Sequence, residues 1–443
     1  MSSRYIEIVP TNIPSTGKIS FKNGHPIIQF VMGASDHLLL GSSIRLTGDF
    51  QCFLNRDVAG VPQPPTADGR LTMDNTVGAI FSTWDQVVIK NLGQYSTLEH
   101  IKNYNRMMAS YMPVTSSNQD TIGHFGETAL TMPNYNLMKT SVVENSGDVN
   151  ANNFTTNSFS THIPCGLFLG QQPIFIGEQG VNGIVIEIHL SPDNMAFFDE
   201  NSAADNSAIH DAFYEYSNLK LTAELIEPDA ATLQTLKGKA GNTYQYNSIS
   251  SYYTSINSAL SVINFNLGLR NVLGVWMNFI EANRINNWRY NSLSTRLIHN
   301  STNNRAPIRN LVFTRGGVKF PNNYDTVTLQ QDNPTDNFAD PSIVSGYIDA
   351  ITQFAKMGRT MVSPLTTFEN DLATDNLHME GSQFAGVGIA YDHVSGQGVD
   401  FSNQNWGIQM NTDLTTNNPL GVYLFVHSKQ TMVFNGSGVQ VLK

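Results

Sequence analysis

The most constraining feature of this sequence is a strict alternation of polar and apolar side chains between residues 43 and 50. Successive side chains of a β-strand point to opposite faces, so this period of two predicts a strand with one wet face and one buried face. Similar runs recur toward the C-terminus, separated by turns that contain Gly, Asn and Pro, and they indicate a chain built mainly of strands. The alternating positions are Ser43, Arg45, Thr47 and Asp49 on the polar side and Ile44, Leu46, Gly48 and Phe50 on the other.

Helical patterns interrupt these strands at few places. Residues 96–112 carry apolar side chains near helical spacing, and Ser96 with Glu99 three residues later fits a capping box. Residues 340–359 carry a clearer apolar stripe at the same spacing. Each half of the chain is therefore predicted to contain a β region, one helix, a long polar excursion and further strands.

Other segments give local signals for single elements. Residues 84–91, with an apolar run at Val87, Val88 and Ile89, are predicted as a strand, and residues 163–170 and 183–190 are predicted as two others. Residues 311–324 contain an Arg-Gly-Gly turn between two apolar runs, which predicts a hairpin. A short helix is expected directly after Pro228 and Asp229.

The length of 443 residues exceeds what one ordinary core supports, so two domains of about 200 residues are expected. The proposed boundary is the short helix after Pro228. Two all-β domains with about eight strands each fit two tandem jelly-roll β-sandwiches, a double jelly roll with a short helix inserted in each. The predicted division is an N-terminal arm at 1–14, a first roll at 15–225, a linker at 226–244 and a second roll at 245–443.

The amino-acid composition limits the classes of function that the chain can have. Charged residues make up 14% of the chain, well below the roughly 25% of ordinary soluble domains, and Asn, Ser, Thr and Gln supply much of the polarity instead. Uncharged polar groups cost less to desolvate than charges, so this surface suits protein–protein contact. The net charge of −11 argues against tight nucleic-acid binding by the whole chain. Cys52 and Cys165 are expected to be free, buried thiols in a protein made in a reducing compartment, without a signal peptide or a membrane-spanning helix.

No catalytic constellation emerges from the sequence. The eleven histidines include no H-x-H pair, so a cupin-type metal site is disfavoured and strand histidines such as His189 and His427 are predicted to pack. The glycines of residues 386–392 lack the spacing of a nucleotide loop, and no G-x-S-x-G motif occurs. Carboxylate pairs are interpreted as solvated loop charges: Asp199 with Glu200, and Asp392 with Asp400.

Four tryptophans could form a sugar platform, but in β-sandwiches such residues are more often anchors in the core or at an interface, and that role is favoured: Trp84, Trp276, Trp288 and Trp406. Catalytic, cofactor-binding and metal-binding residues are therefore all predicted to be absent, and the chain is not expected to be an enzyme.

Taken together, these segments resemble a known family. GSSIRLTGDFQ at 41–51 and the stretch from 73 to 112 resemble the first roll of the double jelly-roll major capsid proteins of double-stranded DNA viruses. The polinton, adintovirus, polinton-like virus and virophage type is the most similar group. Segments such as TRGGVKFPNNY at 314–324 resemble its second roll. The residues that carry the family's turn and helix pattern in the first roll are Asp74, Asn75, Gly78, Glu99 and Tyr104, with the last two expected to be structural.

The resemblance implies a structural subunit of a virion capsid. Three copies would form a homotrimer of six rolls, a pseudo-hexameric capsomer that tiles an icosahedral shell beside neighbouring capsomers, penton proteins and minor capsid proteins. Direct contact with nucleic acid is not expected, and an inner membrane is left open. Candidates for contacts between subunits are the loops at 55–70, 113–160 and 285–310, while the arm at 1–14 is expected on the inner side.

Two other functions stay open at this point. A non-catalytic glycan-binding β-sandwich would use the aromatic and Asn-rich loops. A bicupin-like metalloprotein would need a metal site, for which the missing H-x-H pair is unfavourable.

Overall fold

A computed structural model gives the arrangement of the chain. It describes residues 2–53, 57–58, 61–62, 71–73, 78–115, 157–170, 172–199, 213–238, 242–258, 260–282, 285–287, 292–293, 308–320, 327–328, 387–391, 398–412, 419–435 and 438–443. The predicted helix at 340–359, Asp74, Asn75 and Trp288 lie outside the described residues, as do most of the loops at 55–70, 113–160 and 285–310.

The first half of the chain contains thirteen described strands and four short helices. The strands are β1 Ser2–Ile8, β2 Ile27–Met32, β3 Leu38–Phe53, β4 Asp57–Val58, β5 Val61–Pro62, β6 Leu71–Met73, β7 Trp84–Asn91, β8 Thr97–Lys102, β9 Asn157–His162, β10 Ile174–Phe175, β11 Ile184–Leu190, β12 Phe197–Asp199 and β13 Phe213–Glu227. The helices are α1 Gly78–Ser82, α2 Tyr104–Thr115, α3 Gly166–Leu169 and α4 Asp193–Ala196.

The second half follows one connecting helix, α5 Ala230–Gly238. Its described strands are β14 Thr243–Ile256, β15 Leu260–Phe265, β16 Val272–Glu281, β17 Ile308–Arg315, β18 Val318–Lys319, β19 Val327–Thr328, β20 Val387–Ala390, β21 Trp406–Thr412, β22 Leu420–Asn435 and β23 Gly438–Leu442. The predicted helix after Asp229 is confirmed: Asp229 Oδ1 accepts a hydrogen bond from the backbone N–H of Thr232 at 2.7 Å, as a helix N-cap does.

Both halves have the same topology. The first half pairs its strands in the orders β1-β13-β3-β10 and β2-β11-β7-β8, with β9 added beside β3. The second half repeats this as β14-β22-β16-β20 and β15-β21-β17-β18, with β23 beside β22 and β19 beside β17. In the first half β1 pairs with β13 and β2 with β11, and in the second half β14 pairs with β22 and β15 with β21, so the strands at the start of each half pair with strands near its end. This is the jelly-roll arrangement, so the predicted double jelly roll is confirmed.

The alternation that opened the sequence analysis belongs to β3. Ile44, Leu46 and Phe50 are buried, whereas Arg45 is exposed, as the period of two predicts. Full burial of each such apolar side chain contributes about 1.5–3 kcal/mol to the free energy of unfolding. The predicted hairpin is also confirmed, because Gly316 and Gly317 both have positive φ in the turn between β17 and β18.

Two local predictions were wrong. The expected helix at 96–112 is strand β8 up to Lys102, which pairs with β7 through Glu99 opposite Ile89, and helix α2 begins at Tyr104 after Asn103 with a φ of 53°. Where a strand was expected at 163–170, the structure has helix α3 at Gly166–Leu169. The helix residues are apolar, and Gly166, Leu167 and Phe168 are buried, so no periodicity distinguishes strand from helix there.

The predicted N-terminal arm is also corrected. Ser2–Ile8 is β1, the first strand of the first roll, and it pairs along its whole length with β13 from Ser2 opposite Glu227 to Ile8 opposite Leu221. The Glu7 carboxylate lies 2.7 Å from Lys220 Nζ across this pair. Ser2–Ile8 is therefore part of a sheet of the first roll rather than a separate arm.

Because β1 is the edge partner of β13, deleting residues 2–8 is expected to destabilise the protein by about 3 kcal/mol through lost burial of Ile6 and Ile8. Urea unfolding monitored by circular dichroism measures this. Tyr5→Ser is the matched control, since the Tyr5 side chain is 73% exposed and its loss should leave the free energy of unfolding unchanged. An unchanged unfolding midpoint in the deletion would contradict the assignment of β1 to the roll.

Candidate functional site

The two rolls meet at a buried junction, defined here as β8 and α3 of the first roll with β14 of the second. Glu99 on β8 is a carboxylate and is only 3% exposed, and Leu98 and Ile101 on the same strand are buried as well. Ser248 and Ile249 on β14 are buried beside it. A buried charge is costly unless hydrogen bonds satisfy it, so the partners of Glu99 define the chemistry of the junction.

Glu99 accepts four hydrogen bonds, two from each roll. Its Oε1 accepts from the backbone N–H of Gly166 at 3.1 Å, from the hydroxyl of Ser248 at 3.1 Å and from the backbone N–H of Ile249 at 2.8 Å. Its Oε2 accepts from the backbone N–H of Leu167 at 2.8 Å. Hydrogen bonds to a charged group contribute about 1.5–3 kcal/mol each, so this one side chain links the two rolls strongly.

The local sequence explains why the first-roll donors point at Glu99. Gly166 and Leu167 open helix α3, and the first N–H groups of any helix have no partner within it. Cys165 occupies the N-cap position and makes no side-chain capping bond. The Glu99 carboxylate supplies the missing acceptor from a distant strand.

Burial dominates the electrostatics of this junction. It raises the pKa of Glu99, while the four hydrogen bonds act in the opposite direction. Burial also raises the pKa of the Cys165 thiol well above its usual range, and the nearby Glu99 charge adds to this. Cys165 is a free, buried thiol, as predicted, and its raised pKa keeps it protonated and unreactive. The side chain of Cys52 lies outside the described part of the structure.

At Gly166 the backbone of α3 lies directly against the backbone of β14. An added Cβ at Gly166 would lie 1.7 Å from the carbonyl oxygen of Asn247 and 2.7 Å from the Cα of Ser248. No side chain larger than hydrogen fits there without moving β14. Glycine therefore allows α3 to sit directly against the strand that opens the second roll.

A second contact between the rolls is made by Arg106 of helix α2. Its guanidinium is buried and lies 4.2 Å from the ring centroid of Tyr423 on β22, which is a cation–π arrangement. The Asn278 side chain on β16 donates a hydrogen bond to the backbone carbonyl of Arg106 at 3.0 Å. Burial lowers the pKa of Arg106, and the nearby Tyr423 counteracts this.

Smaller contacts surround these two. The Tyr246 hydroxyl donates to the carbonyl of Leu98 at 2.6 Å, and the backbone N–H of Lys102 donates to Ser251 Oγ at 2.7 Å. The Asn194 side chain donates to the carbonyl of Asn286 at 2.9 Å. The two rolls are thus joined through β8, α2, α3 and α4 rather than through the connecting helix alone.

The other predicted residues have structural surroundings. Tyr104 is fully buried and its hydroxyl donates to the carbonyl of Pro164 at 2.8 Å. His427 is buried in β22, and His189 Nε2 lies 3.6 Å from the Glu187 carboxylate. Asp400 is exposed and accepts a hydrogen bond from the backbone of Ser402 at 2.8 Å, like an ordinary loop carboxylate. Asp199 ends β12, whereas Glu200 and Asp392 are outside the described residues.

The three described tryptophans are all in the cores. Trp84, Trp276 and Trp406 have no exposed surface, so they form no sugar platform. Among the described residues, no three His, Cys, Asp or Glu side chains are close enough to hold a metal ion. None of the helices in the described part of the chain has the length and apolarity needed to cross a bilayer.

Sequence reasoning identified Glu99 but assigned it to the wrong element and the wrong partner. The capping-box interpretation gave it a local role, whereas it caps a helix that begins 67 residues later. Strand β8 mixes polar and apolar residues, so its sequence carries no signal that Glu99 is buried against the second roll.

Comparison with known proteins concerns the fold. No protein-family model matches this sequence, and no curated protein sequence matches it. Among solved structures, a chain of the PBCV-1 virus capsid superposes with a TM-score of 0.59 at 9% identity, covering 100% of this chain and 96% of that one. A chain of the Sputnik virophage structure gives 0.60 at 10% identity, covering 100% and 88%, and the Faustovirus major capsid protein gives 0.55 at 8%, covering 98% and 90%. The similarity extends over both rolls and confirms the double jelly-roll fold.

Because Gly166 touches β14 through its backbone, Gly166→Ala is expected to lower the free energy of unfolding by about 3 kcal/mol. Chemical denaturation measures the loss, and hydrogen exchange should report faster exchange at the amides of Leu167 and Ile249. Gly238→Ala is the matched control, since an added Cβ there meets nothing within 4 Å. Equal stability of the two variants would contradict the close contact.

Asp193, in the first turn of α4, provides a pH test near the junction. Burial raises the pKa of Asp193 to about 6, although the backbone N–H of Tyr214 donates to its Oδ1 at 3.3 Å and Lys22 lies nearby. A native pKa above the unfolded value means that the native state binds the proton more tightly. Its contribution to stability is complete below about pH 4 and is lost as the pH rises through about 6.

We therefore expect Asp193→Asn to gain about 2 kcal/mol over the wild type between pH 4 and pH 7, because the amide never ionises. Urea titrations at several pH values measure this difference. Asp229→Asn is the opposite control, since hydrogen bonds from Thr232 lower the pKa of the exposed Asp229 and its variant should lose relative stability as the pH rises. A pH-independent difference at position 193 would refute the assignment.

Proposed function

We propose that this chain is a structural subunit of the capsid of a double-stranded DNA virus. The observation that carries the proposal is the repetition of one jelly-roll topology in both halves of the chain, similar over its whole length to a chain of the PBCV-1 virus capsid and to the Faustovirus major capsid protein. No enzymatic activity is proposed.

Two rolls in one chain suit a tile. Three copies around a threefold axis present six similar sandwiches, and their outline is close to hexagonal. Such a tile needs a fixed angle between the two rolls of each chain, because hinge motion would displace the surfaces that contact neighbouring tiles. The Glu99 and Arg106 contacts supply two separate buried attachments between the rolls.

The surface composition supports extensive contacts between copies. A charged fraction of 14% leaves many uncharged polar groups, which are cheaper to desolvate when capsomers meet. We propose a homotrimer whose interfaces bury well over about 2,000 Å², as obligate assemblies do. Neighbouring capsomers, penton proteins and minor capsid proteins are the proposed partners, and the virion shell is the proposed location. The net charge of −11 disfavours direct binding to genome phosphates.

The purified protein is expected to form trimers that appear as hexagonal tiles. Light scattering coupled to size exclusion should give about three times the chain mass of 48.9 kDa. Negative-stain microscopy should show hexagonal particles whose size matches six jelly rolls. The Gly238→Ala variant should assemble like the wild type, because an added Cβ at Gly238 meets nothing within 4 Å. A monodisperse monomer at physiological salt and at every concentration tested would overturn the proposed function.

A further inference from the structure

The junction inside the chain joins two different kinds of sheet edge. The first roll contributes β8, which ends the sheet β2-β11-β7-β8, and the second roll contributes β14, which ends the sheet β14-β22-β16-β20. The Tyr246 hydroxyl of β14 donates to the carbonyl of Leu98 on β8, and the N–H of Lys102 on β8 donates to Ser251 of β14. An edge of the β8 kind and an edge of the β14 kind therefore fit together through hydrogen bonds that involve side chains.

Each chain has one further edge of each kind. Because the two rolls share one topology, β18 holds in the second roll the place that β8 holds in the first, and β1 holds in the first roll the place of β14. Strand β1 pairs with β13, and β18 pairs with β17. Within the described residues, no strand pairs with the outer side of β1 or of β18. The junction thus uses one edge of each kind and leaves the other two uncovered by it.

Both remaining edges expose a large side chain. Tyr5 on β1 is 73% exposed, and Val318 on β18 is 65% exposed. On β14, by contrast, Tyr246 and Ser248 are buried where the first roll lies against them. Aromatic residues are enriched at protein interfaces, so an exposed tyrosine at the position equivalent to a covered edge indicates a contact surface.

The strands next to these edges show which contact forms within a chain and which does not. In β22, beside β14, the side chains of residues 420–428 are buried on both faces, and the Arg106 guanidinium of the first roll lies over the ring of Tyr423. In β13, beside β1, buried side chains alternate with half-exposed or exposed ones at residues 219–226. The β1 side of the first roll is therefore polar enough to stay in solution until a separate chain covers it.

The charges of the two remaining edges are complementary. Residues 314–320, which form the hairpin end of β17 and β18, include Arg315 and Lys319 and no acidic residue. Residues 2–8 and 220–227, which form the β1 edge, contain three acidic residues and two basic ones. Salt screens charges beyond about 8 Å under physiological conditions, so the charges at the contact outweigh the net charge of the whole chain. Opposite local charges also determine which surfaces pair.

From these observations we propose that the β1 edge of one copy packs against the β17–β18 hairpin of a second copy. The contact repeats between chains the arrangement that joins the two rolls within a chain. It is head-to-tail, because its two surfaces differ, and head-to-tail contacts between identical copies close into a ring when the rotation allows it. The proposal rests on the proposed function and assigns the surfaces that join the copies of the trimer.

Charge changes at the two edges test this contact. Val318→Glu adds a carboxylate that faces the acidic β1 edge, and Tyr5→Lys adds a cation that faces the basic hairpin. Each single variant should lower the self-association constant roughly tenfold or more in sedimentation velocity. Both side chains are exposed, so both variants should keep the wild-type unfolding midpoint. The double variant should regain association, because its two new charges attract each other.

Mixing the single variants tests whether the contact is head-to-tail. One variant keeps an unaltered β1 edge and the other an unaltered hairpin, so an equimolar mixture should associate more strongly than either variant alone. Val262→Glu is the matched control: Val262 is 60% exposed on β15, at the opposite edge of the sheet that contains β18, and its variant should assemble like the wild type. A contact between two identical edges would instead leave one single variant with wild-type association, and this would overturn the proposal.

The results distinguish failure of this contact from failure of the proposed function. If the wild type forms trimers but both single variants associate equally well, or Val262→Glu weakens association as much, the contact is overturned and the proposed function stands. The same holds if the double variant associates no better than the single variants. If the wild type stays monomeric at every concentration, the proposed function fails and the contact fails with it.

Discussion

The structure depends on one buried carboxylate whose donors come from two domains. Glu99 satisfies the opening turn of a helix in its own roll and a strand backbone in the other. Without these donors the buried Glu99 carboxylate would lack hydrogen bonds, and without Glu99 the backbone N–H groups would be unpaired. The two rolls therefore share a polar network, and the angle between them is fixed by hydrogen-bond geometry rather than by apolar contact alone. Arg106 makes a second buried polar contact between the rolls, in which its guanidinium lies over the ring of Tyr423.

Much of the fold could be predicted from periodicity. The alternation in β3, the glycine turn between β17 and β18, and the helix after Asp229 all follow from local chemistry that acts within a few residues. The errors have a common cause. β8, α3 and β1 take their conformation from partners far along the chain, and their own sequences are too short or too uniformly apolar to specify it.

The contacts at the junction could not be predicted from the sequence for the same reason. Glu99 was given a local capping role from the sequence and nothing in the local sequence distinguishes Gly166, whereas their contacts appear when β14 is brought against them. A sequence pattern cannot show which distant backbone supplies the donors to a carboxylate. The core tryptophans were easier to predict, because large aromatic side chains in strands of a sandwich are usually buried.

The pairing of β1 with β13 has a consequence for synthesis. Residue 2 finds its partner at residue 227, so the first roll cannot complete this sheet until nearly its whole sequence has left the ribosome. Contacts this distant in sequence carry a large loop-closure entropy and fold slowly. Until then the other strands of the roll have exposed edges. The time spent unfinished on the ribosome then becomes the interval in which misassociation competes with folding.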